Sequence, residues 1–176
     1  MATTDVGQLE IHVIGAGKGE SIILRLPSGE WGVVDCYAAS LQDRLSNPTL
    51  QFLLNRNVKH LAFLCMTHPH DDHYRGMSHL LEDFEVSYFW RPSVMSQQRL
   101  EWICESARID AGTSDFEHFI ESADELRNIF KLVKSNRNKS GEPLIPRAAT
   151  TGTQLFPVPI NSDAVFQIWA LAPSTR

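Results

Sequence analysis

The strongest chemical signal in the chain is a short polar segment, His68-Pro69-His70-Asp71-Asp72-His73. It places three imidazoles and two carboxylates within six residues, directly after an apolar run. Imidazole nitrogens and carboxylate oxygens are common ligands of zinc and related divalent ions. Histidines at i and i+2 of an extended segment project to one side, where they can share an ion. The pattern H-x-H-x-D-H arises by chance with a probability on the order of 10⁻⁴ in such a chain, so it predicts a metal site.

The elements around this segment predict that it lies at the end of a buried strand. Residues 60–66 are almost continuously apolar, which is typical of a strand covered on both faces. Upstream, residues 9–14, 21–26 and 31–35 read as three strands joined by a glycine-rich turn and a hairpin turn, which predicts an antiparallel meander. Asn47 and Pro48 predict the cap and first turn of a helix.

The alternation of elements continues beyond the polar segment. Residues 77–84 and 100–107 predict helices, and residues 86–91 predict a strand stopped by Pro92. A long helix begins at Ser114 and carries an apolar stripe of period near 3.6. Residues 136–159 predict an irregular loop, and residues 165–171 a last strand. We therefore expect one α/β domain over residues 1–176.

The same residues resemble a known family. FLCMTHPHDDHYRGM resembles the metal-binding motif of metallo-β-lactamase-fold hydrolases, and IHVIGAGKGESIILRLPSGEWGVVDCY resembles the opening of the hydrolase domain of ComEC-type DNA-uptake proteins. FQIWALAPS is similar to the strand that opens the second half of such domains. The resemblance implies an αββα sandwich of which this chain covers the N-terminal half to two-thirds.

The resemblance also implies roles for individual residues. His68 and His70 correspond to ligands of a first ion, and Asp72 and His73 to ligands of a second, with Asp72 the catalytic carboxylate of the set. Asp35 corresponds to a buried acid that orients a ligating loop without binding metal itself. The implied cofactors are two divalent ions, Zn²⁺ or Mn²⁺, about 3.5 to 4 Å apart, which lower the pKa of a bridging water and so provide hydroxide at neutral pH.

Further ligands that the family uses are not found after His73. The resemblance implies a bridging Asp in a Gly-Asp turn and a late His, whereas the chain offers only His79, His118 and a few acids. We expect a surface or packing role for His79, and we interpret His118 as a solvated helical residue. We therefore expect a truncated domain or a natural half-domain. A missing C-terminal segment or a protein partner would complete the site.

Charge is distributed unevenly along the chain. The net charge is −5, yet residues 127–147 hold six basic side chains and a single acid, a local charge of +5. Lys131, Lys134, Arg137 and Lys139 are candidate contacts to a nucleic-acid backbone. The alternative is a solvated helix end whose cations are favoured by the helix dipole. The first function hypothesis is a metal-dependent phosphodiesterase or nuclease.

Two other functions stay open. One keeps the fold and changes the substrate to a lactone, thioester or amide. The other is a non-catalytic half-site that acts as an interaction module. The three cysteines have no metal-binding spacing and predict a reduced core, and no apolar run is long enough to span a membrane. We expect a cytoplasmic protein with no membrane association.

Overall fold

The architecture is taken from a computed structural model that describes residues 7–15, 17–93, 114–138, 140–157 and 166–171. The strands are β1 (Glu10–Gly15), β2 (Glu20–Arg25), β3 (Trp31–Val34), β4 (His60–Leu61), β5 (Phe63–Cys65), β6 (Glu85–Val86), β7 (Phe89–Pro92), β8 (Pro146–Ala149), β9 (Gln154–Phe156) and β10 (Ile168–Trp169). The helices are α1 (Pro48–Asn55), α2 (Asp71–Tyr74), α3 (Met77–Asp83) and α4 (Ser114–Ser135), with a 3₁₀ turn at Arg44–Ser46.

The main sheet has six strands in the order β1-β2-β3-β5-β7-β8. β1, β2 and β3 pair antiparallel, which confirms the predicted N-terminal meander. β3, β5, β7 and β8 pair parallel, so the sheet is mixed and the α/β class is confirmed. Because the parallel strands run the same way, their carboxyl ends meet at one edge of the sheet. Asp35, Thr67 and Ser93 follow β3, β5 and β7 at that edge.

Helices cover one face of this sheet. Ile23, Val33, Leu64 and Phe89 of the strands pack in one core with residues of α1, α3 and α4. The α4 residues in that core are Ala123, Leu126, Ile129, Phe130 and Val133, as the period of the apolar stripe predicts. A second core lies on the other face, where Leu26, Phe63, Cys65 and Trp90 pack with Leu155 of β9. Both faces of β5 are therefore buried.

The predicted strand over residues 60–66 is divided in the structure. β4 pairs with β6, whereas β5 joins the main sheet, and the chain changes partner at Ala62, whose N–H donates to the Trp31 carbonyl at 2.7 Å. The predicted strand over residues 86–91 divides in the same way into β6 and β7. Apolar residues occupy both parts of each strand, so hydrophobic pattern alone does not show the change of partner.

The expectation of an irregular loop over residues 136–159 is wrong. This segment contains β8, which pairs with β7 at the edge of the main sheet, and β9, which pairs with β10. Pro146 is the first residue of β8, a position in an edge strand where the missing N–H removes no required ladder bond. A proline in this segment, which suggested a loop, is therefore compatible with a short edge strand.

Cys36 and Cys65 are free and buried, as the composition predicts. Burial raises the pKa of each thiol to about 12, so neither is a reactive thiolate at neutral pH. Cys104 and the predicted helix over residues 100–107 lie outside the described residues. Among the helices that the structure describes, none has the length and apolar character needed to cross a bilayer.

Candidate metal centre

The polar segment forms the connection between β5 and α3. Residues 67–70 leave the carboxyl end of β5, and α2 adds a single helical turn, in which the His73 N–H donates to the His70 carbonyl at 2.9 Å. The Cys36 N–H donates to the His73 carbonyl at 2.9 Å, and the Asp35 N–H donates to the Cys65 carbonyl at 2.8 Å. The end of β3 therefore holds the segment at both its start and its end.

Asp35 is the side chain around which the segment is organised. Its carboxylate accepts hydrogen bonds from the Thr67 N–H at 2.7 Å, from the Thr67 hydroxyl, and from Nδ1 of His73 at 2.8 Å. The backbone of Asp35 lies in the left-handed region, with φ of 58°. Burial raises the pKa of Asp35, and the hydrogen bonds from Thr67 and His73 oppose that shift.

The contact with Asp35 fixes the orientation of the His73 ring. A carboxylate at Nδ1 selects the tautomer that carries its proton there, which leaves Nε2 with a free lone pair. Nε2 lies 3.7 Å from Oδ2 of Asp72. Two ligands about 2.1 Å from a tetrahedral zinc ion are separated by about 3.4 Å. Asp72 and His73 therefore have nearly the spacing of two ligands of one ion.

His68 and His70 form a second pair at the start of the segment. Their ring centroids are 4.1 Å apart and the planes meet at 72°, while the His68 and His73 centroids are 5.7 Å apart. Partial burial lowers the pKa of His68, and the neighbouring His70 and His73 lower it further. The lower pKa favours the neutral imidazole, which is the form that binds metal.

His68, His70, Asp72 and His73 supply pairs of possible ligands but do not complete the coordination sphere of an ion. In the described part of the chain, no three His, Cys, Asp or Glu side chains are placed so that they hold one metal ion. By the chemistry of their donor atoms all four residues nevertheless suit divalent ions, and Asp72 and His73 also have nearly the spacing of two ligands. A complete coordination sphere requires ligands from elsewhere or from water.

His79 is not available as an additional ligand. It is buried, its Nε2 lies 3.0 Å from the Leu41 carbonyl, and its Nδ1 lies 3.3 Å from Nδ2 of Asn47. The Leu41 carbonyl and the Asn47 amide group occupy both ring nitrogens, so His79 has the packing role, one of the two roles that we expect for it. The side chain of His118 lies outside the described residues.

Sequence reasoning missed the contact that Gly19 makes with the segment. A Cβ at Gly19 would overlap the Asp72 carbonyl oxygen and the ring of Tyr37. The glycine-rich turn after β1 therefore lies directly against the segment, and Gly19 permits that close approach. The three glycines within five residues were the sequence signal for this contact. Glycine spacing alone, however, does not predict which part of the chain packs against them.

The exit of the segment is held by α4, which sequence reasoning also missed. The buried carboxylate of Glu125 accepts hydrogen bonds from the N–H groups of Gly76 and Ser78 at 3.0 and 3.1 Å. Burial raises the pKa of Glu125, and these hydrogen bonds oppose the shift. Arg75 is also buried, and its guanidinium donates to the Ala38 carbonyl and to the carboxylate of Glu121. The segment is thus clamped between the end of β3 and α4.

The predicted phosphate contacts lie at some distance from the segment. Ser122 of α4 approaches Asp71, with 3.5 Å between the hydroxyl and carboxylate oxygens. At a rise of 1.5 Å per residue, Lys131 and Lys134 lie about 14 Å and about 18 Å further along the helix. Lys131, Lys134 and Arg137 are exposed, and Lys139 lies outside the described residues. These cations do not line the candidate centre.

Comparisons with known proteins add no assignment. The chain matches no protein-family model and none of the curated protein sequences.

Proposed function

We propose that this chain belongs to a metal-dependent hydrolase of the metallo-β-lactamase fold that cleaves phosphodiester bonds, most directly those of nucleic acid. The observation that carries the proposal is the contact of Asp35 with His73, which leaves Nε2 of His73 beside the Asp72 carboxylate. A metal-ligating histidine almost always donates its other ring N–H to a carboxylate, a carbonyl or water, as His73 donates to Asp35.

The arrangement of layers supports the fold part of the proposal. The main sheet begins with an antiparallel meander and has helices on one face and a second pair of strands on the other. This arrangement is compatible with part of an αββα sandwich. The H-x-H-x-D-H segment lies at the carboxyl edge of the parallel strands, where α/β proteins place their functional loops.

Each residue has a defined part in the proposed reaction. His68 and His70 would hold one ion, and Asp72 and His73 would hold the other, with Asp35 maintaining the orientation of His73. When bound, the ions lower the pKa of water and offset negative charge at the attacked centre. Thr67 anchors the start of the segment through its bonds to Asp35, so the ligands keep their spacing.

The charge pattern supports a nucleic-acid substrate. Lys131 and Lys134 are exposed on α4, Arg137 is exposed just after its end, and the sequence places Lys139 in the same basic segment. A polyanion bound at the centre can reach these cations, because about 14 to 18 Å is a distance that a short oligonucleotide spans. A lactone or an amide is too small to do so.

The coordination sphere is the part of the site that the residues described by the structure do not close. Only pairs of ligands meet among the described residues. We propose that another segment or a protein partner supplies the remaining ligands, and that the chain by itself hydrolyses its substrate slowly. The same observation favours a second candidate function, a non-catalytic half-site that binds a partner.

A turnover assay separates these functions. Wild-type protein and the His68→Ala/His70→Ala variant are compared on single-stranded DNA, double-stranded DNA, RNA and a panel of lactones, with added Zn²⁺ or Mn²⁺. We expect slow, metal-dependent cleavage of nucleic acid that the variant loses. Turnover of lactones alone would favour the second substrate class, and equal turnover by both proteins would remove the catalytic assignment. No metal-dependent turnover of any substrate would favour the half-site function.

A further inference from the structure

A cleft of about 450 Å³ opens beside the candidate metal centre. It is lined by Lys18, Tyr37, His70, Asp71 and Asp72. Two of these residues are proposed metal ligands, whereas Lys18 belongs to the glycine-rich turn between β1 and β2 and Tyr37 follows β3. A molecule that reaches the centre through this cleft therefore meets Lys18 and Tyr37, to which the proposed function assigns no part.

Lys18 presents an unpaired positive charge in this cleft. Its side chain is exposed and makes no ion pair or hydrogen bond with any residue that the structure describes. By contrast, Arg25, Arg44 and Arg75 each pair with a carboxylate. The turn that carries Lys18 is held against the centre, because Gly19 packs on the Asp72 carbonyl. The ammonium group is therefore positioned near the centre while remaining available to a ligand.

Tyr37 provides a second, independent indication of a ligand. The residue is only 9% exposed, and it packs against Gly19. Its hydroxyl has no hydrogen-bond partner within the described parts of the chain, although the residue lines the cleft. The hydroxyl is not one of the fully buried polar atoms, so it is open to the cleft. A ligand oxygen in the cleft can therefore accept a hydrogen bond from it.

We propose that Lys18 and Tyr37 form a phosphate-binding subsite next to the metal centre. The Lys18 ammonium offsets the negative charge of a phosphate group, and the Tyr37 hydroxyl donates a hydrogen bond to one of its oxygens. This inference rests on the proposed function and narrows it, because it selects substrates that carry a phosphate at the centre. Lys18 would not increase the affinity for uncharged lactones and amides, because they carry no negative charge.

The subsite is tested by binding rather than by turnover. Thymidine 5′-monophosphate is titrated by calorimetry into the full chain in excess Mn²⁺, and uncharged thymidine serves as the matched probe. We expect Lys18→Ala to raise the Kd of the nucleotide about fivefold, the upper range for an exposed ion pair. Tyr37→Phe should raise that Kd about threefold, as expected for one hydrogen bond. Lys18→Arg should retain most of the affinity.

The control is Lys59→Ala, which removes an exposed lysine just before β4, away from the cleft. It should bind the nucleotide like wild type, and all variants should bind Mn²⁺ equally. In nucleic-acid turnover, Lys18→Ala should raise KM and leave kcat unchanged. The inference is overturned if wild type binds thymidine as well as its monophosphate, if wild type binds neither, or if Lys18→Ala and Tyr37→Phe bind the nucleotide like wild type.

Failure of this inference is distinguishable from failure of the proposed function. If nucleic-acid cleavage depends on His68 and His70 but nucleotide binding does not depend on Lys18, the proposed function stands and the subsite is wrong. If nucleotide binding depends on Lys18 but the protein turns over only lactones, the subsite stands and the proposed function is wrong.

Discussion

Asp35 and His73 are 38 residues apart in the sequence, yet their side chains meet at 2.8 Å, between Oδ2 of Asp35 and Nδ1 of His73. The contact joins the carboxyl end of β3 to the single turn α2. It also determines which nitrogen of His73 faces Asp72. This pair therefore connects the fold of the sheet directly to the chemistry proposed for the segment.

Replacing Asp35 by Asn should weaken metal binding without unfolding the chain. Asn tolerates the left-handed backbone that Asp35 adopts, and its amide oxygen can still accept one bond from Thr67. The His73 contact loses its charged acceptor, and loss of such a partner costs about 10-fold to 100-fold in metal affinity. Chelator competition with Zn²⁺ measures the change. The exposed Glu85→Gln is the matched control, and equal Zn²⁺ affinity for both variants would contradict the role of Asp35.

Gly19→Ala should disturb the segment, whereas Gly15→Ala at the end of β1 should not. A Cβ at Gly19 overlaps the Asp72 carbonyl and Tyr37, while a Cβ at Gly15 meets open space. Overpacking of this kind costs about 1 to 3 kcal/mol, so the free energy of unfolding should fall by that amount in the Gly19 variant. The Gly15 variant should stay within about 0.5 kcal/mol of wild type. Urea denaturation compares them, and equal midpoints would show that the turn does not press on the segment.

Asn47 should prove more important for stability than an ordinary helix cap. Its Oδ1 accepts from the Leu50 N–H at 3.1 Å, and its Nδ2 donates to the Gly76 carbonyl at 2.9 Å. Asn47→Ala removes the cap and leaves a buried carbonyl unpaired, a combined cost of about 2 to 4 kcal/mol. Asn47→Ser retains a cap acceptor and should lose less. Thermal and urea unfolding test this order, which would be contradicted if both variants lost the same stability.

Glu125 should give the folded chain a measurable pH dependence. Burial raises the pKa of Glu125, so the folded chain binds its proton more tightly than the unfolded chain does. The free energy of unfolding therefore loses a contribution as pH rises from the unfolded pKa, about 4.3, through the raised folded pKa. Glu125→Gln does not titrate and can still accept from the Gly76 and Ser78 N–H groups. Its stability relative to wild type should therefore increase as the pH rises from about 4.3 towards neutrality.

The measurement for Glu125 is urea denaturation of wild type and Glu125→Gln across that pH range. Glu85→Gln, at an exposed position, controls for the loss of one negative charge. A constant difference between Glu125→Gln and wild type at every pH would show that Glu125 has the same pKa in the folded and unfolded chains.

Sequence patterns predicted those features that depend on nearby residues. The three-stranded meander, the Asn47 cap and the apolar stripe of α4 follow from turns, capping residues and a period near 3.6, and all three are present. Strand β8 was missed because proline and threonine suggest loops, while the edge position that tolerates Pro146 depends on the partner strand β7.

Parts of the candidate site that depend on distant contacts could not be predicted from the pattern. The H-x-H-x-D-H spacing identifies the segment, and the family resemblance implies that Asp35 orients a ligating loop. The packing of Gly19 on Asp72, the clamp from Glu125, and the cleft at Lys18 and Tyr37 each join residues far apart in the chain. Only the folded arrangement brings such groups together.

The central claim, that the segment is a metal site, is tested most directly by measuring bound zinc. Wild type and His68→Ala/His70→Ala are dialysed against Zn²⁺, and zinc per chain is determined by elemental analysis, with circular dichroism to confirm that both are folded. We predict that wild type binds Zn²⁺ incompletely or weakly, because only ligand pairs meet among the described residues, and that the variant loses most of it. Two tightly held ions per wild-type chain would contradict the incomplete site, and equal zinc content in the two proteins would contradict the metal site itself.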